Sequence, residues 1–211
     1  MAEVAGRRLT SANYPVLDRA GNIWCANSTH AETWPQALDG RTDGFIFVLR
    51  PDGSTSIVAD GLKFPNGLAL SADDSFLFCA QTSGADVMRF PILPGGRLGP
   101  GERYGPQLGL LQEPGAPAAD PSDLGYTDGV GMDAEGALWV CLPAANKVVA
   151  ILPSGEVVTV AHDPSGEVIN HPTNVTWGGP DLKDLYIGSI RAGYVLKARS
   201  PVAGQPQAHQ L

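Results

Sequence analysis

Four segments of this chain open on a small acceptor-bearing polar residue and close eleven or twelve residues later on an aromatic: Asn13 to Trp24, Asn66 to Phe78, Asp128 to Trp139 and Asn174 to Tyr186. Their starts are spaced by 53, 62 and 46 residues, enough for one four-stranded sheet each with loops of unequal length. A repeat of that size reads as the blades of a β-propeller, with four aromatics at equivalent second-strand positions and almost no helix. Equivalent first positions of radially arranged sheets meet near one axis. Asn13, Asn66, Asp128 and Asn174 are therefore expected to converge although they lie far apart in the chain.

Composition agrees with an all-β chain read as one domain over residues 1–211. The 26 Gly and 18 Pro suit many short strands joined by tight turns and disfavour helix interiors, while 43% hydrophobic residues supply a core. Acidic residues outnumber Lys and Arg by 22 to 14, and the basic residues are scattered, so a nucleic-acid footprint is not expected. The first residues lack the apolar stretch of a signal peptide, and no apolar run is long enough to span a bilayer, which makes a cytoplasmic protein the expectation. Cys25, Cys79 and Cys141 follow the three repeat starts by 12, 13 and 13 residues. This predicts free, buried core thiols at one shared place in three repeats, since neither disulfide nor zinc spacing is present.

Hairpin signals follow each second strand. Phe45–Leu49, a Pro51-Asp52-Gly53 turn and Ser56–Ala59 are mirrored by Lys147–Leu152, Pro153-Ser154-Gly155 and Val157–Val160, and more loosely by Val87–Ile92 before Pro94-Gly95-Gly96. The turns between first and second strands are short. The long connections, Ser28–Gly44, Tyr104–Thr127 and His162–Thr173, all fall on the face where the first strands begin, so a binding mouth is expected there. Asn and Asp at a strand start often only satisfy turn backbone; four in register favour a site.

Amide and carboxylate oxygens are hard donors. Asn13, Asn66 and Asp128 around one axis suit a single divalent cation, Ca²⁺ before Zn²⁺, Mn²⁺ or Mg²⁺, with Asp128 also able to act as base or nucleophile. His171 is a candidate at the mouth for substrate or proton contact. His30 and Trp34 are candidates for a lid, or simply for the packing of their own loop. Ser28 has no nucleophile-elbow context, and the Gly95–Gly101 stretch has no P-loop lysine.

At these residues the sequence resembles the senescence marker protein (regucalcin), gluconolactonase and luciferin-regenerating-enzyme family. The matching stretches are Ser11–Pro15 with Asp18–Trp24, Phe64–Gly67, Thr127–Gly129 with Asp133–Trp139, and Pro172–Asn174 with Gly178–Tyr186. The resemblance implies a six-bladed propeller, about four blades of it in this chain, that hydrolyses sugar lactones or related esters with a divalent metal in the tunnel. It implies Asn66 and Asp128 as metal ligands, Asp128 as catalytic base, and Asn13 as a contact to substrate or metal. The family's first metal ligand is a Glu well before the residue matching Asn13, where this chain has only 12 residues and Glu3 lies too close. N-terminal blades are thus expected to be missing, with impaired activity and self-association through open propeller edges as consequences. A non-catalytic Ca²⁺ or small-molecule binder and a protein-interaction platform are the alternative readings.

Overall fold

A computed structural model describes residues 2–113 and 115–210. The chain begins with a small hairpin, β1 (Glu3–Val4) and β2 (Arg7–Arg8). Blade one follows as β3 (Ala12–Leu17), β4 (Ile23–Asn27), β5 (Gly44–Leu49) and β6 (Thr55–Leu62), with a single helical turn, α1 (Trp34–Ala37), between β4 and β5. Blade two comprises β7 (Pro65–Leu70), β8 (Phe76–Gln81), β9 (Asp86–Leu93), β10 (Arg97–Leu98) and β11 (Glu102–Arg103), the last two both pairing with β9. Blade three is β12 (Val130–Met132), β13 (Leu138–Leu142), β14 (Lys147–Ile151) and β15 (Val157–His162). Blade four has three strands, β16 (Pro172–Gly178), β17 (Asp184–Ser189) and β18 (Leu196–Arg199). Each blade is an antiparallel meander, so the chain is all-β with a four-blade propeller arrangement, as the repeat predicts.

The middle strands read as continuous apolar runs because both faces of a blade are covered. β5 and β13 are buried almost end to end, whereas the outer strands β6 and β15 are half-exposed. Side chains alternate along each second strand, so one set meets the preceding blade and the other the following one. Trp24 and Ala26 of blade one pack with Leu77 and Cys79 of blade two. Phe78 and Ala80 of blade two pack with Leu138, Val140 and Leu142 of blade three, and Trp139 and Cys141 pack with Leu185 and Ile187 of blade four. Trp24, Phe78 and Trp139 thus all face the next blade, and Tyr186, on the same register, faces away from blade three. On the far side of blade one, Phe45, Phe47 and Cys25 are covered by Val4 and Leu9 from the N-terminal hairpin.

The cysteines correct one expectation. All three are free and buried, but they do not share one place. Cys25 and Cys79 follow their aromatic by one residue and face backward, while Cys141 follows Trp139 by two and faces forward. A one-residue difference in a strand moves a side chain to the other face.

Two of the short turns carry a buried carboxylate. Asp18 accepts from the Asn22 N–H at 2.8 Å and the Trp24 indole N–H at 2.9 Å; Asp133 accepts from the N–H groups of Glu135 and Ala137 and from the Trp139 indole, each at 2.9 Å. One side chain therefore fixes both the turn and the orientation of the large blade-packing ring.

At the axis the first strands touch backbone to backbone. The Gly67 N–H donates to the Asp128 carbonyl at 3.1 Å, and the Gly129 N–H donates to the Thr173 carbonyl at 2.9 Å. A Cβ on Gly67 would stand 2.5 Å from the Asp128 carbonyl oxygen, and one on Gly129 would stand 2.4 Å from that of Thr173. Below, the C-terminal tail ties three blades together: Gly204 N–H to Leu182, Gln205 N–H to Met132 and the Gln205 side-chain amide to the Leu70 carbonyl.

Gly129→Ala is expected to destabilise the protein by about 1–3 kcal/mol, because backbone cannot yield as a flexible side chain can. Gly193→Ala, where nothing lies within 4 Å, is the control and should change stability little; urea unfolding of both variants decides it. Asp133→Ala should cost about 1–3 kcal/mol for each buried N–H left unpaired. Combining it with Trp139→Phe should cost less than the sum, as a thermal-melting mutant cycle would read.

Candidate functional site

The axial residues are brought together in part. Asn13 sits in β3, Asn66 in β7 and Asp128 two residues before β12, so each stands where its blade's innermost strand begins. The Asn13 Nδ2 donates to Asn66 Oδ1 at 2.8 Å. Asp128 is the next blade's neighbour of Asn66, linked to it through the Gly67–Asp128 backbone bond. With Asn66 Nδ2 turned toward Thr82 Oγ1 at 3.2 Å, the Asn66 and Asn13 carbonyl oxygens and the Asp128 carboxylate are the acceptors of the cluster.

Burial governs the charge at this point. Desolvation pushes the Asp128 carboxyl up to about 7, and the Asn66 side chain and Gly129 backbone only partly oppose it. No positive side chain stands among the causes, so near neutral pH this group is divided between carboxylate and acid.

Asn174 lies elsewhere in the network. It is exposed on β16, its Oδ1 accepting from the Val175 N–H at 2.8 Å and meeting the Tyr14 hydroxyl at 2.7 Å. That hydroxyl also bonds the Val130 carbonyl at 2.7 Å and accepts the Val130 N–H at 3.1 Å. Tyr14 thus spans from blade one to blades three and four, and burial raises its hydroxyl well above the ordinary phenol range. Its backbone is held at φ 52°, a conformation that costs an ordinary residue about 1–3 kcal/mol and persists here because the hydroxyl accepts from the Val130 N–H and gives its one proton to either the Val130 carbonyl or Asn174 Oδ1. Below it is a cavity of about 270 Å³ lined by Tyr14, Val16, Leu68, Met132, Thr176 and Gln207 among others. Asn13, Asn66 and Asp128 do not line this cavity, so the amide and carboxylate cluster and the cavity, whose wall mixes polar and apolar side chains, are separate compartments.

His171 stands just before β16 at φ 49°, its N–H donating to Asn146 Oδ1 at 2.8 Å and its Nδ1 beside Asn170 Oδ1 at 2.9 Å. It makes no hydrogen bond to the axial cluster. Desolvation, followed by the charge of Arg191, lowers its pKa and favours the neutral ring. In the loop after β4, Asp43 accepts from the Thr29 hydroxyl and the His30 N–H, which holds the loop closed on itself. His30 stacks on Phe45 and the exposed Trp34 on Phe64. This loop and the one before blade three form a cleft of about 750 Å³ between Pro35, Leu38, Gln112, Ala116 and Tyr126.

Sequence reading missed Thr82 and the bridging role of Tyr14. Thr82 lies in a connection between β8 and β9 that carries no repeat signature, and Tyr14 was visible only as a letter of the Ser11–Pro15 stretch. Among the described residues no group of three His, Cys, Asp or Glu side chains could hold a metal, so a cation here would depend on amide oxygens and a single carboxylate. Those donors suit a hard, oxygen-seeking ion and fill only part of its shell. No helix among the described residues is long and apolar enough to cross a membrane.

Comparison with known proteins bears on the same residues. The chain is 26% identical over 178 residues to the pentonolactonase XacC of Haloferax volcanii, covering 84% of this chain and 53% of that protein. To the 6-deoxy-6-sulfogluconolactonase of Pseudomonas putida it is 28% identical over 175 residues, covering 83% and 52%. The chain therefore spans about half the length of these relatives. Among solved structures, the calcium-binding protein regucalcin of Agrobacterium tumefaciens superposes with a TM-score of 0.65 at 17% identity, over 93% of this chain and 62% of that one, which speaks to the fold. The model of the SMP-30/Gluconolactonase/LRE-like region matches residues 1–191, and the chain belongs to that family.

Proposed function

We propose that this chain carries the axial half of a sugar-lactone hydrolase site, with Asn66, Asp128 and Asn13 holding one divalent cation, Ca²⁺ first among them. The observation that supports this reading is the convergence of two side-chain amides and one carboxyl at adjoining first-strand starts, Asn13 bonded to Asn66 and Asp128 beside it, in a chain whose relatives include two lactonases. A bound cation would polarise the lactone carbonyl and stabilise the oxyanion that forms on it.

The protein's own groups supply the rest. Asp128, which a bound cation would hold as the carboxylate, takes the proton of the attacking water and returns it to the ring oxygen as the acyl C–O bond breaks. Asn13 offers its amide to a sugar hydroxyl or to the cation. At the rim, His171 keeps Nδ1 on Asn170, so Nε2 is the atom free to accept from substrate. Asn174 is held by Tyr14 and Val175 and serves the scaffold.

A single carboxylate is a weak cage for a divalent ion, so the 211-residue chain alone is expected to turn over small aldonolactones feebly, and Asp128→Asn to abolish what activity there is. Lactonase rates on an aldonolactone panel with added Ca²⁺ or Zn²⁺ test this. Asp128-independent turnover would overturn the assignment of the base, and cation binding without any turnover would favour the non-catalytic binder instead.

The raised Asp128 carboxyl also fixes a pH dependence. The folded protein holds this proton more tightly than the unfolded chain, whose carboxyl titrates near about 4. The stability it contributes is complete below that pH and is lost as pH rises through about 7. Chelator-treated wild type should therefore lose stability relative to Asp128→Asn between those limits, measured as the difference in urea midpoints at each pH.

A further inference from the structure

Thr82 opens the short turn Thr82–Gly84 that joins β8 to β9, and it is buried. Its hydroxyl donates to the Thr127 carbonyl at 2.7 Å and lies 3.2 Å from Asn66 Nδ2. A hydroxyl has one proton, and a carbonyl can only accept. The proton therefore belongs to Thr127, and Thr82 can meet Asn66 only as an acceptor. That forces the NH₂ side of the Asn66 amide toward Thr82 and leaves Oδ1 on the other side, where it accepts from Asn13 Nδ2 at 2.8 Å.

We infer that Thr82 is the positioning residue of the cation site: it locks the Asn66 amide with its oxygen toward Asn13 and the axis. Through the Thr127 carbonyl it also pins the residue that precedes Asp128 to blade two. One hydroxyl thus sets two of the three candidate ligands in register while touching neither ion nor substrate. The inference rests on the cation reading above and adds to it a device that, together with Asn13 and Asp128, fixes which end of Asn66 the ion meets. Without the hydroxyl the amide keeps only Asn13 and Asp128 to hold its orientation, and turning over would present N–H donors, which repel a cation. Groups that orient metal ligands in this way typically account for about 10–100-fold in affinity.

The test compares Thr82→Val, which keeps the shape and loses the hydroxyl, with Thr82→Ser, which keeps the hydroxyl. Mn²⁺ and Ca²⁺ titrations by calorimetry give the affinity, and the Asn66 side-chain NH₂ resonances of the metal-free protein report the amide directly. Thr82→Val is expected to weaken binding about 10–100-fold and to shift and broaden the Asn66 NH₂ pair, with Thr82→Ser close to wild type in both. Unchanged affinity in a folded Thr82→Val sample, unmoved Asn66 resonances, or equal loss in Thr82→Ser would each overturn the inference. If wild type binds neither ion, the cation reading falls and takes the role of Thr82 with it. The resonances of the metal-free variants then still tell whether the amide lock exists, which separates the two failures.

Discussion

Everything at the centre of this molecule depends on how closely the first strands approach one another. The bond from Gly67 to the Asp128 carbonyl and that from Gly129 to the Thr173 carbonyl cross from blade to blade, and a side chain at either glycine would force the strands apart. Because the contact is made by backbone, the residue just before each glycine is delivered to the axis at a fixed height. Asn66 and Asp128 are those residues. Their side chains meet a common space because the glycines beside them have none.

Blade one breaks this rule and shows what it costs. The residue after Asn13 is Tyr14, which takes a left-handed backbone conformation and sends its ring across the axis to Val130 and Asn174. Where the other blades close the centre with backbone, this one closes it with a phenol. The result is a floor between the amide and carboxylate cluster on one side and the cavity lined by Leu68, Met132, Asn174, Thr176 and Gln207 on the other.

The blade pattern was legible in the sequence because it is written at period two and repeated. Trp24, Phe78, Trp139 and Tyr186 fall on the same strand and the same face, and the strand limits around Phe45–Leu49 and Lys147–Ile151 match the apolar runs closely. The cysteines escape that logic because the spacing counts from the strand start across a turn of variable length: Cys79 and Cys141 both lie 13 residues on, yet they stand one and two residues after their aromatic and so on opposite faces. The axial cluster was readable as residue types at strand starts, but its wiring was not. The Asn66 amide meets Thr82 of its own blade, and the Thr82 hydroxyl proton is committed to the Thr127 carbonyl only once blades two and three have packed. His171, expected at the mouth, is held there by Asn146 and Asn170, partners that its sequence position does not reveal.

The electrostatics of Asp128 follow from that geometry. A carboxylate packed among backbone and amides, with no cationic side chain beside it, pays a desolvation cost that a few polar contacts do not return, and so it holds its proton up to about 7. A divalent cation reverses the balance, since it is the largest local charge such a site would contain and it stabilises the deprotonated form. On the proposed cation reading, proton release and ion capture would be one event at Asp128. The two amides fit this arrangement because they offer oxygen without adding a charge that would have to be buried when no ion is held. Asn66 and Asn13 can satisfy each other through one hydrogen bond in that state, and a second carboxylate in place of either would leave like charges facing across the axis.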